Sequence, residues 1–144
     1  MNHELIVSQS IEVNADLSKV WKALTSPEII KDYLFGTETI SDWKVGSPIV
    51  FQGDYQGQKY RDHGVILEND QHKKLSYTYW SGFSGSEDLP ENYACITYLL
   101  EKTADQKTKF TWIQKGFANE AGYEHSKNGM GELLINIKAV IEKI

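Results

Sequence analysis

Ile11-Glu12-Val13-Asn14-Ala15-Asp16-Leu17-Ser18-Lys19-Val20-Trp21-Lys22-Ala23-Leu24-Thr25-Ser26-Pro27-Glu28 is the stretch whose reading decides the fold. Ile11 and Val13 alternate with polar neighbours, the period of a strand with one buried face. Asp16 or Ser18 offers a side-chain oxygen to the free amides of a first helical turn. Leu17, Val20, Trp21 and Leu24 then recur at helical spacing. Ser26 and Pro27 open a second short helix, with Pro at the first position, where a missing N–H costs nothing.

Before this stretch, Leu5, Val7, Ile11 and Val13 share one face of a strand over about 4–13. After it, the helices run roughly 17–24 and 27–33, and strands follow near 37–43, 48–55, 58–68, 73–80, 94–102 and 108–116. Val45-Gly46-Ser47-Pro48, Gln56-Gly57, Asn69-Asp70 and Ala104-Asp105-Gln106 supply turn chemistry between them. The stretch 81–93 is the longest break in periodicity, read as a flap or as a long connection. Met130, Leu133, Leu134, Ile137, Val140, Ile141 and Ile144 recur at spacings of three and four, which predicts a helix over roughly 121–143 with one wide apolar face. The sheet is the only large surface against which that face can lie. The expected class is α+β: a curved antiparallel sheet of about seven strands around a long C-terminal helix, with two short helices after strand 1. Residues 1–144 read as one domain.

Ala15, Val20-Trp21-Lys22-Ala23-Leu24-Thr25, Pro27-Glu28, the turn Trp43-Lys44-Val45-Gly46 and the closing amphipathic helix stand in one order. In that order the chain resembles the family named for the activator of the heat-shock-protein-90 ATPase, within the START-like (SRPBCC) superfamily. The resemblance implies a helix-grip fold of the START/Bet v 1 type. It also implies three kinds of function: holding a small hydrophobic ligand, cyclase, dehydratase or hydrolase chemistry on a bound carbonyl compound, and regulation of a chaperone ATPase in a stress response. The chaperone reading ranks lowest, because the eukaryotic activators carry a further domain that helps engage the chaperone. The family usually has Gly-Trp where this chain has Gly129-Met130, and Met reshapes the space a Trp would fill.

Composition narrows the partners. A net charge of −5 argues against nucleic acid or an anionic membrane, both of which need a basic surface. Residues 1–20 show no secretory signal, and Cys95 is the one cysteine, so a cytoplasmic protein without disulfides is expected. The four histidines, His3, His63, His72 and His125, are scattered, and no spacing suits zinc; neither a metal nor a cofactor is expected. Gly82-Phe83-Ser84-Gly85-Ser86 falls short of a nucleophile elbow, and Cys95 reads as an inert thiol in an apolar strand. No catalytic residue is assigned. Asp54, His63 and Glu68 lie on strands, and surface charge accounts for them more simply than acid–base work.

With 12% aromatic residues, the chain carries a bulky core or an aromatic-lined cavity. Strand parity puts Phe51, His63, Tyr77, Tyr79, Tyr98 and Trp112 on inward faces, under Met130 and Leu134 of the last helix. His63 is placed there because it shares a face with Val65 and Leu67. Tyrosine hydroxyls need partners when buried, so such a lining suits a small apolar or aromatic molecule with a few polar groups. Gly129 and Gly131 each cost a helix about 1 kcal/mol relative to Ala, which points to close approach or to space left beneath the helix. Bulges are expected at Gly53 and Gly64. Oligomeric state stays open between monomer and homodimer.

Overall fold

The computed structural model describes residues 1–144. Its strands are β1 (Asn2–Val13), β2 (Glu38–Ile40), β3 (Pro48–Tyr55), β4 (Gln58–Asp70), β5 (Lys74–Tyr79), β6 (Ala94–Ala104) and β7 (Lys107–Phe117). The helices are α1 (Leu17–Thr25), α2 (Pro27–Tyr33) and α3 (Glu120–Lys143). All seven strands form one antiparallel sheet in the order β1-β7-β6-β5-β4-β3-β2. This is the helix-grip arrangement expected from the sequence, and no helix is long and apolar enough to cross a membrane.

Local chemistry accounts for the elements. Asp16 is the N-cap of α1, its carboxylate accepting from the Lys19 N–H at 2.8 Å. Val20, Trp21, Ala23 and Leu24 of that helix are buried. Pro27 opens α2, although Ser26 makes no side-chain cap. Strand β2 is shorter than the predicted 37–43. Ser41 Oγ accepts from the Trp43 N–H and Asp42 Oδ1 from the Lys44 N–H, both at 3.0 Å, and these side-chain turns end the ladder. The glycine bulges do not form. The β3–β4 ladder runs unbroken through Gly53↔Tyr60, and the irregularities fall at Asn2/Ile6, Ile66/Glu68 and Lys102/Ala104. Both glycines serve close approach instead. The Tyr60 ring lies against Gly53, and the Thr78 carbonyl presses on Gly64.

Met130, Leu134, Ile137 and Ile141 of α3 are buried, and Leu133 is half-buried. The helix is fastened chiefly to β1. Gln9 Nε2 donates to the Lys127 carbonyl at 3.0 Å, Lys138 Nζ to the Glu12 carbonyl at 2.6 Å, and the Asn14 N–H to the Glu142 carboxylate at 2.8 Å. Asn136 Nδ2 ties the same helix to α2 through the Tyr33 carbonyl at 3.1 Å. Helix α3 therefore leaves uncovered the concave floor made by β3 to β6, part of which α1 and α2 cover through Leu24, Ile30 and Tyr33.

Candidate functional site

That floor carries an open cavity of about 250 Å³, nine of whose twelve lining residues are hydrophobic. Phe51 from β3, Tyr77 and Tyr79 from β5, Ile96 from β6 and Trp112 from β7 form its walls. Tyr60 and Asp62 from β4 and Thr37 and Gln114 add polar groups, while Leu34 and Phe35, just after α2, and Leu133 of α3 complete the rim. A second, more open space of about 520 Å³ shares Phe35, Trp112, Gln114 and Leu133 with the first. It continues beneath α3 past Gly129, Met130 and Asn136. A Cβ on Gly129 would meet nothing within 4 Å, whereas one on Gly131 would stand 3.6 Å from Gln9 Oε1. Of the two glycines, only Gly129 lines the void. Phe35, 87% exposed at a left-handed φ of 54°, borders both spaces.

The tyrosines are held neutral. Tyr77 and Tyr98 share a hydrogen bond at 2.7 Å between their hydroxyls, and burial raises both well above the ordinary phenol range. Tyr79 is raised by burial first and by the neighbouring Asp62 second, and its hydroxyl donates to Asp62 Oδ2 at 2.5 Å. Asp62 is 7% exposed, and its other oxygen, Oδ1, has no partner. Trp112 Nε1 is likewise buried without an acceptor. Two unpaired polar atoms of opposite sense thus belong to residues that line one cavity.

The predicted residues fall into three groups. Phe51, Tyr77, Tyr79 and Trp112 line the first cavity, and Trp112 and Met130 the second. Tyr98 sits deeper, bordering a void of about 10 Å³ with Leu24, Tyr33 and Trp43, and Leu134 is buried in the core. His63 does not join them. In β4 the concave face carries Tyr60, Asp62, Gly64 and Ile66, while Val65 and Leu67 are 41% and 43% exposed on the outside. Three apolar residues in succession, Val65-Ile66-Leu67, erase the alternation that would fix parity, and the choice that moved His63 inward was the wrong one. Its Nε2 instead lies 3.1 Å from Asp88 Oδ2, with Tyr93 and Trp80 beside the ring.

Residues 87–93 of the stretch 81–93 are accordingly strapped to the outer face, while Phe83 reaches the β3–β4 hairpin. Tyr93 hydroxyl donates to Asp88 and Trp80 Nε1 to the Glu87 carbonyl at 3.1 Å, and Phe83 packs on Tyr55 and Tyr60. Cys95 is half-buried beside Ser76 Oγ at 3.6 Å. Sequence reasoning missed Asp62, Tyr60, Gln114 and the Leu34-Phe35 corner. Asp62 shared parity with Ile66, which was the signal that could have found it. No three His, Cys, Asp or Glu side chains come together in a metal-holding group.

A strongly curved sheet, an apolar concavity with a few polar atoms and a closing helix define a helix-grip domain of START-like architecture. Residues 14–142 match the model of the family described as activator of Hsp90 ATPase homolog 1-like protein, and the chain belongs to that family. It is similar to the protein ChR145 from Cytophaga hutchinsonii, solved in solution, with 37% identity, 99% of this chain and 97% of that chain covered, and a TM-score of 0.82. The crystal structure of MLL2253 from Mesorhizobium loti shares the fold at 21% identity, covering 96% and 97% of the two chains, with a TM-score of 0.78. So does the Aha1 protein from Colwellia psychrerythraea, solved as a dimer, at 16% identity, 95% and 96% coverage and a TM-score of 0.73. No curated protein matches the chain.

Proposed function

We propose that this chain binds a small, mostly apolar molecule in the cavity between the sheet and α3. The observation that supports the reading is the pair of joined spaces with shared walls at Phe35, Trp112, Gln114 and Leu133. Ligand sites are concave, largely apolar and supplied with a few convergent polar groups, and this one has that make-up. The enzyme reading draws on His63 or an inward carboxylate; His63 faces away from the cavity, which leaves that reading Asp62 alone.

Native mass spectrometry of freshly purified protein should find a co-purified small molecule. The neutral dye N-phenyl-1-naphthylamine should bind saturably and quench tryptophan emission through Trp112. Leu133→Trp, which puts a bulkier side chain on a wall that both spaces share, should weaken that binding. Absence of saturable binding by the dye and by a varied set of apolar compounds would remove the reading.

A further inference from the structure

Asp62 is the one formally charged residue among the twelve that line the first cavity. It is more than nine-tenths buried, and none of the four ion pairs of the protein includes it. Tyr79 satisfies Oδ2 and leaves Oδ1 without a donor. An acceptor buried in this way is costly until something donates to it. Around it the lining is aromatic, with the Phe51 ring packed against those of Tyr77 and Tyr79.

From this we infer that the molecule held in the cavity is an aromatic or alicyclic compound bearing a hydrogen-bond donor, a hydroxyl or an ammonium group, which it places on Asp62 Oδ1. The inference rests on the binding function proposed above and makes it more specific. A carboxylic acid is excluded as the preferred ligand: its anion would meet the Asp62 carboxylate with no basic lining residue to offset the repulsion. A plain hydrocarbon fits the walls and leaves Oδ1 unpaired.

The test uses bound N-phenyl-1-naphthylamine at neutral pH, displaced by four compounds with one ring system: naphthalene, 2-naphthol, 2-(aminomethyl)naphthalene and 2-naphthoate. A hydrogen bond to a charged group should make 2-naphthol or the ammonium compound at least about tenfold tighter than naphthalene. The naphthoate should be the weakest of the four. Asp62→Asn keeps the shape of the side chain. It should cut the donor preference to less than about threefold and relieve the discrimination against naphthoate, each read as a ratio to naphthalene on the same protein, whose remaining saturable binding reports an intact cavity.

Equal affinity for naphthalene and both donor compounds overturns the inference while leaving the binding function standing. So does a donor preference that survives in Asp62→Asn. Failure of the dye and of all four compounds to bind removes the binding function itself, a result distinguishable from the other two.

Discussion

Gly64→Ala tests how the floor of the cavity is built. Gly64 lacks the left-handed backbone that would itself forbid a side chain, so any cost must come from contact. A Cβ there would stand 1.6 Å from the Thr78 carbonyl oxygen, 2.4 Å from its carbon and 3.0 Å from Thr78 Oγ1. Carbon–oxygen approach across strands is comfortable at about 3.3–3.6 Å, so β4 and β5 must part by nearly 2 Å. Three hydrogen bonds span that junction: Val65 N–H to Thr78 Oγ1 at 2.9 Å, His63 N–H to the Trp80 carbonyl at 3.0 Å, and its reciprocal at 2.9 Å. At about 0.5–1.5 kcal/mol each, their weakening should destabilise the protein by about 2–4 kcal/mol. Urea denaturation followed by tryptophan emission and circular dichroism measures this, and an unchanged m-value would show that the unfolded state is unaffected. Gly129→Ala is the control, because nothing lies within 4 Å of the added methyl. It should stabilise by up to about 1 kcal/mol. A loss below about 0.5 kcal/mol in Gly64→Ala would refute the reasoning, since surface-like tolerance at that site means the strands separate freely.

Trp21→Ala should cost about 3–5 kcal/mol, because Trp21 is 6% exposed and packs in the main core; the same denaturation assay checks it. Thr108→Val should cost about 1 kcal/mol, since Thr108 is fully buried and its hydroxyl donates to the Ala15 carbonyl at 2.8 Å. In alkaline titration Tyr33, Tyr77, Tyr79 and Tyr98 should ionise only as the protein unfolds, burial being the first cause in each. Tyr93 is pushed up to about 12 by desolvation and then by its bond to Asp88. Folded values above the unfolded 10 mean that this contribution to stability is intact below pH 10 and lost as pH rises through the folded values. Phenolate absorbance compared with circular dichroism shows whether ionisation and unfolding coincide.

The helices were legible in the sequence because their apolar residues recur over several turns and their starts carry chemistry: Asp16 as cap, Pro27 at the first position. Leu75, Tyr77 and Tyr79 of β5 alternate with Ser76 and Thr78, β6 and β7 keep one inward face, and Tyr77, Tyr79, Tyr98 and Trp112 all face the concave side. Strand β4 does not alternate. Its concave face is Tyr60, Asp62, Gly64 and Ile66, while Val65 and Leu67 lie outside, so hydrophobic parity points the wrong way. The property that hid Asp62 from the sequence, a carboxylate on an inward face, is the property that distinguishes it in the structure. Phe35 was illegible for a different reason: its position depends on the left-handed pair Phe35-Gly36 after α2, which no periodicity records.

Stability and the proposed recognition are divided between the two sides of the molecule. Along β1, the polar groups of α3 find partners: Gln9 with the Lys127 carbonyl, Lys138 with the Glu12 carbonyl, Glu142 with the Asn14 N–H. The costs gather on the other side. Asp62 Oδ1 and Trp112 Nε1 are buried without partners, each a loss of about 1–3 kcal/mol. Gly129 weakens the helix above the void, and Phe35 holds an 87% exposed ring at a positive φ beside it. A packed core selected for stability alone would fill this space and remove the orphaned atoms, as β1 and α3 do at their own contact. In the proposed function the costs at Asp62 and Trp112 are compensated by a bound molecule that supplies the missing donor and the missing apolar contact; Thr39 Oγ1, also buried without a partner, lies outside the cavity lining. A ligand that binds only the folded form then stabilises it in proportion to its concentration. The donor-bearing naphthalene compounds should therefore raise the melting temperature of the wild-type chain, and of Asp62→Asn much less; equal shifts in the two would place the costs of the cavity somewhere other than Asp62.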